Sequence, residues 1–139
     1  MKRSALTALM SIRDREYQEA MRVLANSVDT LDQASQAVRN AEERLLHERE
    51  IALATSSGDV SVENYARWLP VGQAAIDAAR RDELQARTCL TIARAALITA
   101  RTARESVRTA MSRQAEKDRV KALKAEQALL DEIRPRRVE

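Results

Sequence analysis

Turn formers are nearly missing from this chain of 139 residues: it has two glycines, two prolines and no phenylalanine, with Tyr17, Tyr65 and Trp68 as its only aromatics. Sandwiches, barrels and doubly wound folds need frequent Gly and Pro punctuation between β-rich runs, so those classes are excluded. The single Cys89 has no partner for an intramolecular disulfide and fits a reducing compartment. No run approaches the roughly 18 apolar residues that a membrane-spanning helix needs. Met1-Lys2-Arg3 is followed by Ser4, Thr7 and Ser11 rather than by an apolar signal core. An excess of one charge is missing too: 24 basic against 21 acidic residues gives +3, too little to indicate nucleic acid. A cytoplasmic protein is expected.

What is present is alanine, at 25 positions, together with charged residues at 32%. That diet belongs to long helices and coiled coils. Disorder is disfavoured because the 45% of apolar residues recur with helical spacing. Residues 1–60 carry 8 basic and 10 acidic groups (−2), and residues 61–139 carry 16 and 11 (+5), which favours folding one half against the other.

From Met10 to Ala52 one apolar row falls every seventh position: Met10, Tyr17, Leu24, Leu31, Val38, Leu45 and Ala52. Met21 and Val28 begin a second row, which fades into Ser35, Glu42 and Arg49. A helix is therefore expected over 5–54, about 75 Å long at 1.5 Å per residue. Thr55-Ser56-Ser57-Gly58-Asp59 is the one cluster of turn residues, so the chain should reverse over 55–60. Gly58 is expected as a left-handed stop, and Ser61 as the cap of the next helix, with Val60 and Tyr65 stapled around it. The second helix is expected over 61–133, before Pro135 and a basic tail at 134–139, with a kink or break at Trp68–Gly72 caused by Pro70. Its facing seam reads Ile76, Ala79, Ala86, Leu90, Ala93, Leu97, Ala100, Val107 and Met111. The phase then slips near Ala115 and resumes at Val120, Leu123, Leu130 and Ile133. The fold class is all-α: an antiparallel two-helix coiled-coil hairpin forming a single domain over 1–139. Its longer second helix should overhang by roughly 15–20 residues at 1.5 Å each.

Chemistry-bearing residues are few. His47, the only histidine, has Glu43 and Glu50 nearby, an arrangement that charged helices produce by chance. There is no Gly-rich phosphate loop and no nucleophilic set, so no enzyme activity, metal or cofactor is expected. Cys89 is expected as a small buried residue. Arg80, Arg87, Arg94, Arg101 and Arg108 stand at strict spacing of seven, and no acidic residue falls between Leu84 and Arg104. This row can pair across the hairpin with Asp14, Glu16, Asp29 or Asp32, or it can dock an acidic surface or phosphates. Tyr65 and Trp68 either close the turn against Ile51 and Leu53 or form an exposed anchor for a partner.

Three stretches resemble the FliJ family of flagellar type III export, whose injectisome relatives include the YscO group. The start, Leu6-x-x-Leu9-x-x-Ile12-Arg13-x-x-Glu16, is similar to the family's opening motif. The stretch of Asn64, Tyr65, Trp68, Leu69, Ala75 and Ile76 resembles its post-turn aromatic motif. Glu126-Gln127-Ala128-Leu129-Leu130-Asp131-Glu132-Ile133 resembles its closing signature. The resemblance implies a non-enzymatic hairpin similar to the stalk subunit of rotary ATP synthases. Its open end, formed by both termini, would enter the hexameric export ATPase. The cytoplasmic domain of the export-gate membrane protein would be a second partner, with empty export chaperones as a further one, and membrane association would come through partners only. The family's gate-binding face would fall on Trp68, Gly72, Ala75 and Ala79. Gly72 stands where a large aliphatic is usual, Ala79 where a polar residue can sit, and Pro70 departs from an uninterrupted helix. The candidate partner-binding residues are therefore Tyr65, Trp68, Gly72, Ala75 and Ala79, the arginines Arg87, Arg94 and Arg101, and Glu126, Gln127, Leu130 and Asp131. The residues alone leave open a generic coiled-coil adaptor or oligomerisation module, a virulence-type injectisome stalk and, more remotely, a nucleic-acid binder using the arginine row.

Overall fold

The computed structural model describes residues 2–54 and 58–134. Helix α1 is Lys2–Leu53 (52 residues) and helix α2 is Gly58–Ile133 (76 residues). No strand occurs among the described residues, so the all-α expectation holds. Ala, Leu, Arg, Glu and Gln lose little in a helix. The weaker helix formers spend their hydroxyls on the helix itself: Thr7 donates to the Arg3 carbonyl at 2.8 Å and Ser27 to that of Val23 at 2.8 Å. Short-range pairs such as Arg13–Glu16, at 2.9 Å, add a few tenths of a kcal/mol each, roughly.

The boundaries correct two expectations. Gly58 has φ +69°, the left-handed conformation expected of it, but it is the first residue of α2 rather than the stop of α1. Ser61 therefore lies inside the first turn, three residues past the start of α2, rather than at the capping position before it. Asp59 supplies the negative charge that the helix N-terminus favours. Of the expected turn at 55–60, residues 58–60 are helical and 55–57 lie outside the described residues, as do Pro135 and the tail at 135–139. Pro70 does not break α2, which is helical on both sides of it. Its missing N–H leaves the Ala66 carbonyl without its usual donor.

The chain forms two compact units. The turn unit, Ala20–Leu97, pairs the two helices in antiparallel fashion: Arg44 meets Trp68, Glu42 meets Arg80, and Thr30 shares a cleft with Ala86. Val38, Ala52, Ile76, Ala86, Leu90 and Ala93 are its buried apolar residues, with Leu24, Leu31 and Leu45 half-buried beside them. The second row expected on α1 is not buried, because Met21 and Val28 are both exposed. An alanine-lined partner helix covers only a narrow stripe, and these two side chains lie beyond its edge.

The terminal unit joins the residues up to Glu19 to those from Ile98 onward. Here Val107 is buried, and Leu6, Leu9, Met10, Tyr17 and Met111 are half-buried. The Arg104 guanidinium lies 3.8 Å from the centroid of the Tyr17 ring. From Ala115 to Arg134 every residue is exposed; Ala115, Lys117 and Asp118 still line clefts with Arg3, Ala5 and Leu6 of α1, so the overhang expected of the last 15–20 residues begins beyond them.

Candidate functional site

Two places concentrate unusual surface, one in each unit. In the turn unit, Trp68 is half-buried and its indole folds back over Gly72, one helical turn later. A Cβ on Gly72 would stand 2.6 Å from Trp68 Cη2 and 2.8 Å from Cζ3, so the ring occupies the space a side chain would need. This explains why a glycine stands where the resemblance would have a large aliphatic. Arg44 of α1 lies 5.6 Å from the Trp68 ring, and Tyr65 packs at 6.3 Å between ring centroids with a 36° tilt. A cleft of about 250 Å³ opens between Asn40, Ala41, Arg44, Trp68, Val71, Gly72 and Ala75.

The predicted face is thus assembled only in part. Trp68, Gly72 and Ala75 line one cleft, with Gly72 buried beneath the indole and Ala75 exposed, whereas Ala79 is half-buried outside it. Ile51 and Leu53, against which the aromatic pair would pack if it closed the turn, are themselves exposed. Arg44 was missed by sequence reasoning. Counting back along α1 from the turn would have set it opposite Trp68, but one arginine among many carries no signal of its own.

In the terminal unit, two shallow apolar clefts flank Leu6. One, of about 280 Å³, runs along Arg3, Thr7, Met111 and Ala115. The other, of about 400 Å³, runs along Ala5, Leu9, Ala110 and Lys117. Arg104, stacked on Tyr17, keeps its Nε buried without a hydrogen-bond partner among the described residues. Beyond the clefts, α2 carries exposed apolar side chains, with Leu130 at 59% and Ile133 at 75% exposure. Glu126, Gln127 and Asp131 are exposed beside them. Lys117, Lys121 and Lys124 line one surface with Val120 and a single acid, Glu116, so the stretch just before this segment is mainly basic. The Arg119 guanidinium, 2.7 Å from Glu116, holds that carboxyl below its usual range, and the same contact raises Arg119.

The arginine row does not pair as expected. Arg80 bonds Glu42 across the helices at 2.9 Å, Arg87 bonds Glu83 at 3.0 Å and Arg108 bonds Glu105 at 2.9 Å, the last two within α2. Asp14, Asp29 and Asp32 take no part, and Glu16 is held by Arg13. Arg94 and Arg101 have no carboxylate partner among the described residues: Arg94 has no acidic residue three or four positions away, and Glu105, four positions after Arg101, is held by Arg108. Cys89 is exposed, contrary to expectation, and lines a cleft of about 380 Å³ with Ser27, Asp82 and Gln85. It stands one position beside the buried Leu90, off the seam. His47 is exposed, and no cluster of three or more potential metal ligands occurs among the described residues.

No helix among the described residues is long and apolar enough to cross a membrane. No curated protein and no solved structure matches the chain. The family model described as "Flagellar FliJ protein" matches residues 1–138, essentially the whole length. With its opening, post-turn and closing motifs carried on two long helices, the chain belongs to the FliJ family.

Proposed function

We propose that this chain is a non-enzymatic, stalk-like component of flagellar type III export that binds and promotes the hexameric export ATPase and links it to the export gate. Family membership makes it a component of the flagellar export apparatus, and the match over residues 1–138 is the observation that carries the proposal. The finer reading rests on the two sites. A stalk needs a stiff rod with a free end, and the residues 115–133 that end α2 are all exposed, with apolar and acidic side chains side by side. The mainly basic surface at Lys117, Lys121 and Lys124 would steer an approaching acidic ring surface, and Leu130 and Ile133 would provide the apolar contact. Trp68, exposed enough to be touched and backed by Gly72 and Arg44, would anchor the cytoplasmic domain of the gate protein, as buried aromatics do at interface centres. In this reading the protein acts in the cytoplasm and reaches the inner membrane through its partners. Export chaperones remain a further proposed class of partner.

Binding of the purified full chain to each partner tests the proposal. Leu130→Lys with Ile133→Lys should weaken ATPase binding by at least about tenfold, and Trp68→Ala should weaken gate binding similarly, each without loss of helical circular dichroism. If the wild-type chain binds neither partner and instead forms parallel dimers, it is a generic coiled-coil module.

A further inference from the structure

A surface helix is normally polar on the side away from its core. Between Arg81 and Leu97, α2 is not. Its inward residues Ala86, Leu90 and Ala93 are buried in the turn unit. Its opposite side carries Leu84, Thr88, Thr91, Ile92 and Ala95, all exposed, with Leu84 at 66% and Ile92 at 64%. The hydroxyls of Thr88 and Thr91 donate to the carbonyls of Leu84 and Arg87 at 3.1 Å each, so both donors are already committed to the helix itself. The centre of this outer face therefore offers neither charge nor a free hydroxyl donor. One edge is basic: Arg87, shared with Glu83, and, seven residues on, Arg94 without a carboxylate partner among the described residues. The same spacing continues in sequence with Ile98 and Arg101.

From this we infer that the outer face of α2 around Leu84, Thr91, Ile92 and Ala95 is a docking surface for an acidic amphipathic helix of a partner protein, with carboxylates seven residues apart set against Arg87 and Arg94. Charge complementarity selects the acid. The small Ala95 and the bonded threonines select a helix, since they let two helix axes approach to about 8–10 Å. A lipid surface would call for aromatic side chains and a basic border on both sides, and this face has neither. A nucleic acid would call for aromatic stacking platforms, which are also missing here. The surface is separate from both the Trp68 cleft and the exposed end of α2, so it stands whether or not the proposed stalk function does.

Two synthetic helical peptides of about three heptads serve as probes. Both carry Ala and Leu on the contact positions, one with Glu and the other with Lys at the flanking position of each heptad. Fluorescence anisotropy against the full chain should show saturable binding of the Glu peptide only. Arg87→Glu with Arg94→Glu should weaken that binding at least about tenfold and allow the Lys peptide to bind. Ile92→Lys should also weaken it at least about tenfold, because the contact has an apolar centre. These residues are exposed, so helical circular dichroism should be unchanged in both variants, and ATPase binding should be unchanged in Ile92→Lys. The inference is overturned if the Glu peptide does not bind, or if its binding ignores Ile92→Lys and so reflects charge alone. It is equally overturned if the wild-type chain self-associates in sedimentation through a contact that Ile92→Lys abolishes, since the occupant would then be a second copy. Binding to anionic vesicles in place of the peptide would overturn it too.

Discussion

Gly72 is the position where a single methyl group should report on the Trp68 cleft. In Gly72→Ala the new Cβ would stand 2.6, 2.8 and 3.0 Å from three atoms of the indole, distances that cannot persist. The ring is the outer part of a side chain with two rotatable bonds, so the ring moves and the helix stays. The helix interior gains roughly 1 kcal/mol from replacing glycine by alanine. Against this, the displaced ring leaves Arg44, now 5.6 Å away, a contact worth about 0.5–1 kcal/mol at a partly exposed site. Re-exposing roughly 40 Å² of indole at about 25 cal/mol per Å² costs about 1 kcal/mol more. The terms nearly cancel, leaving a net loss of about 0.5–1 kcal/mol by the same bookkeeping. Thermal unfolding should therefore shift little while the environment of the tryptophan changes a great deal. Trp68 is the chain's only tryptophan, so its emission can be read without ambiguity. A red shift and easier quenching by iodide are expected in Gly72→Ala, and more so in Gly72→Leu. Unchanged emission with a gain of the full propensity of roughly 1 kcal/mol would refute the reasoning, because Trp68 would not then be lying over Gly72.

Other perturbations test different parts of the structure. Leu90→Ala, at a buried seam position, should cost about 2 kcal/mol, at the low end for leucine because the two-helix core is shallow; thermal melting by circular dichroism reads it. Ala93→Leu at the tightest point of the seam should destabilise by about 1–3 kcal/mol through overpacking, read by the same melt. Trp68→Ala should leave helicity nearly unchanged and weaken binding to the gate domain, whereas a large loss of helicity would make the residue structural. Arg119 favours the charged form of Glu116, so its small contribution is present above the ordinary glutamate pKa and is lost as pH falls through the lowered one. An acid titration of helicity should therefore show a slightly smaller acid-range decrease in Glu116→Gln than in the wild type.

The helices were legible because their signal is repeated many times. Seven positions from Met10 to Ala52 and nine from Ile76 to Met111 agree on one seam, and all of them are buried or half-buried. Met21 and Val28 misled because periodicity shows which residues share a face but not how wide a stripe the partner helix covers. Ser61 misled for a local reason: the helix starts three residues earlier, at Gly58, within the cluster of turn residues that marks only roughly where one helix ends and the next begins. Cys89 shows how steep the boundary is, since a shift of one residue from Leu90 carries it out of the seam and into solvent. The Trp68 cleft was half legible. The aromatic pair stands out in a chain with three aromatics, but its cover does not, because the fold of the indole onto Gly72 depends on a side-chain rotamer and Arg44 depends on hairpin register. The arginine row was visible as a row, and its partners were not. Long side chains bond the nearest carboxylate, which for Arg87 and Arg108 lies on their own helix.

The central claim is that this chain promotes an export ATPase through the exposed end of α2, and turnover of the cognate ATPase at rising concentrations of the purified chain tests it most directly. A rise in turnover that saturates, and that disappears when residues 115–139 are deleted while the rest of the chain keeps its helicity, is the expected result. No rise with an ATPase shown to be active and oligomeric, or a rise that the deletion leaves intact, would contradict it.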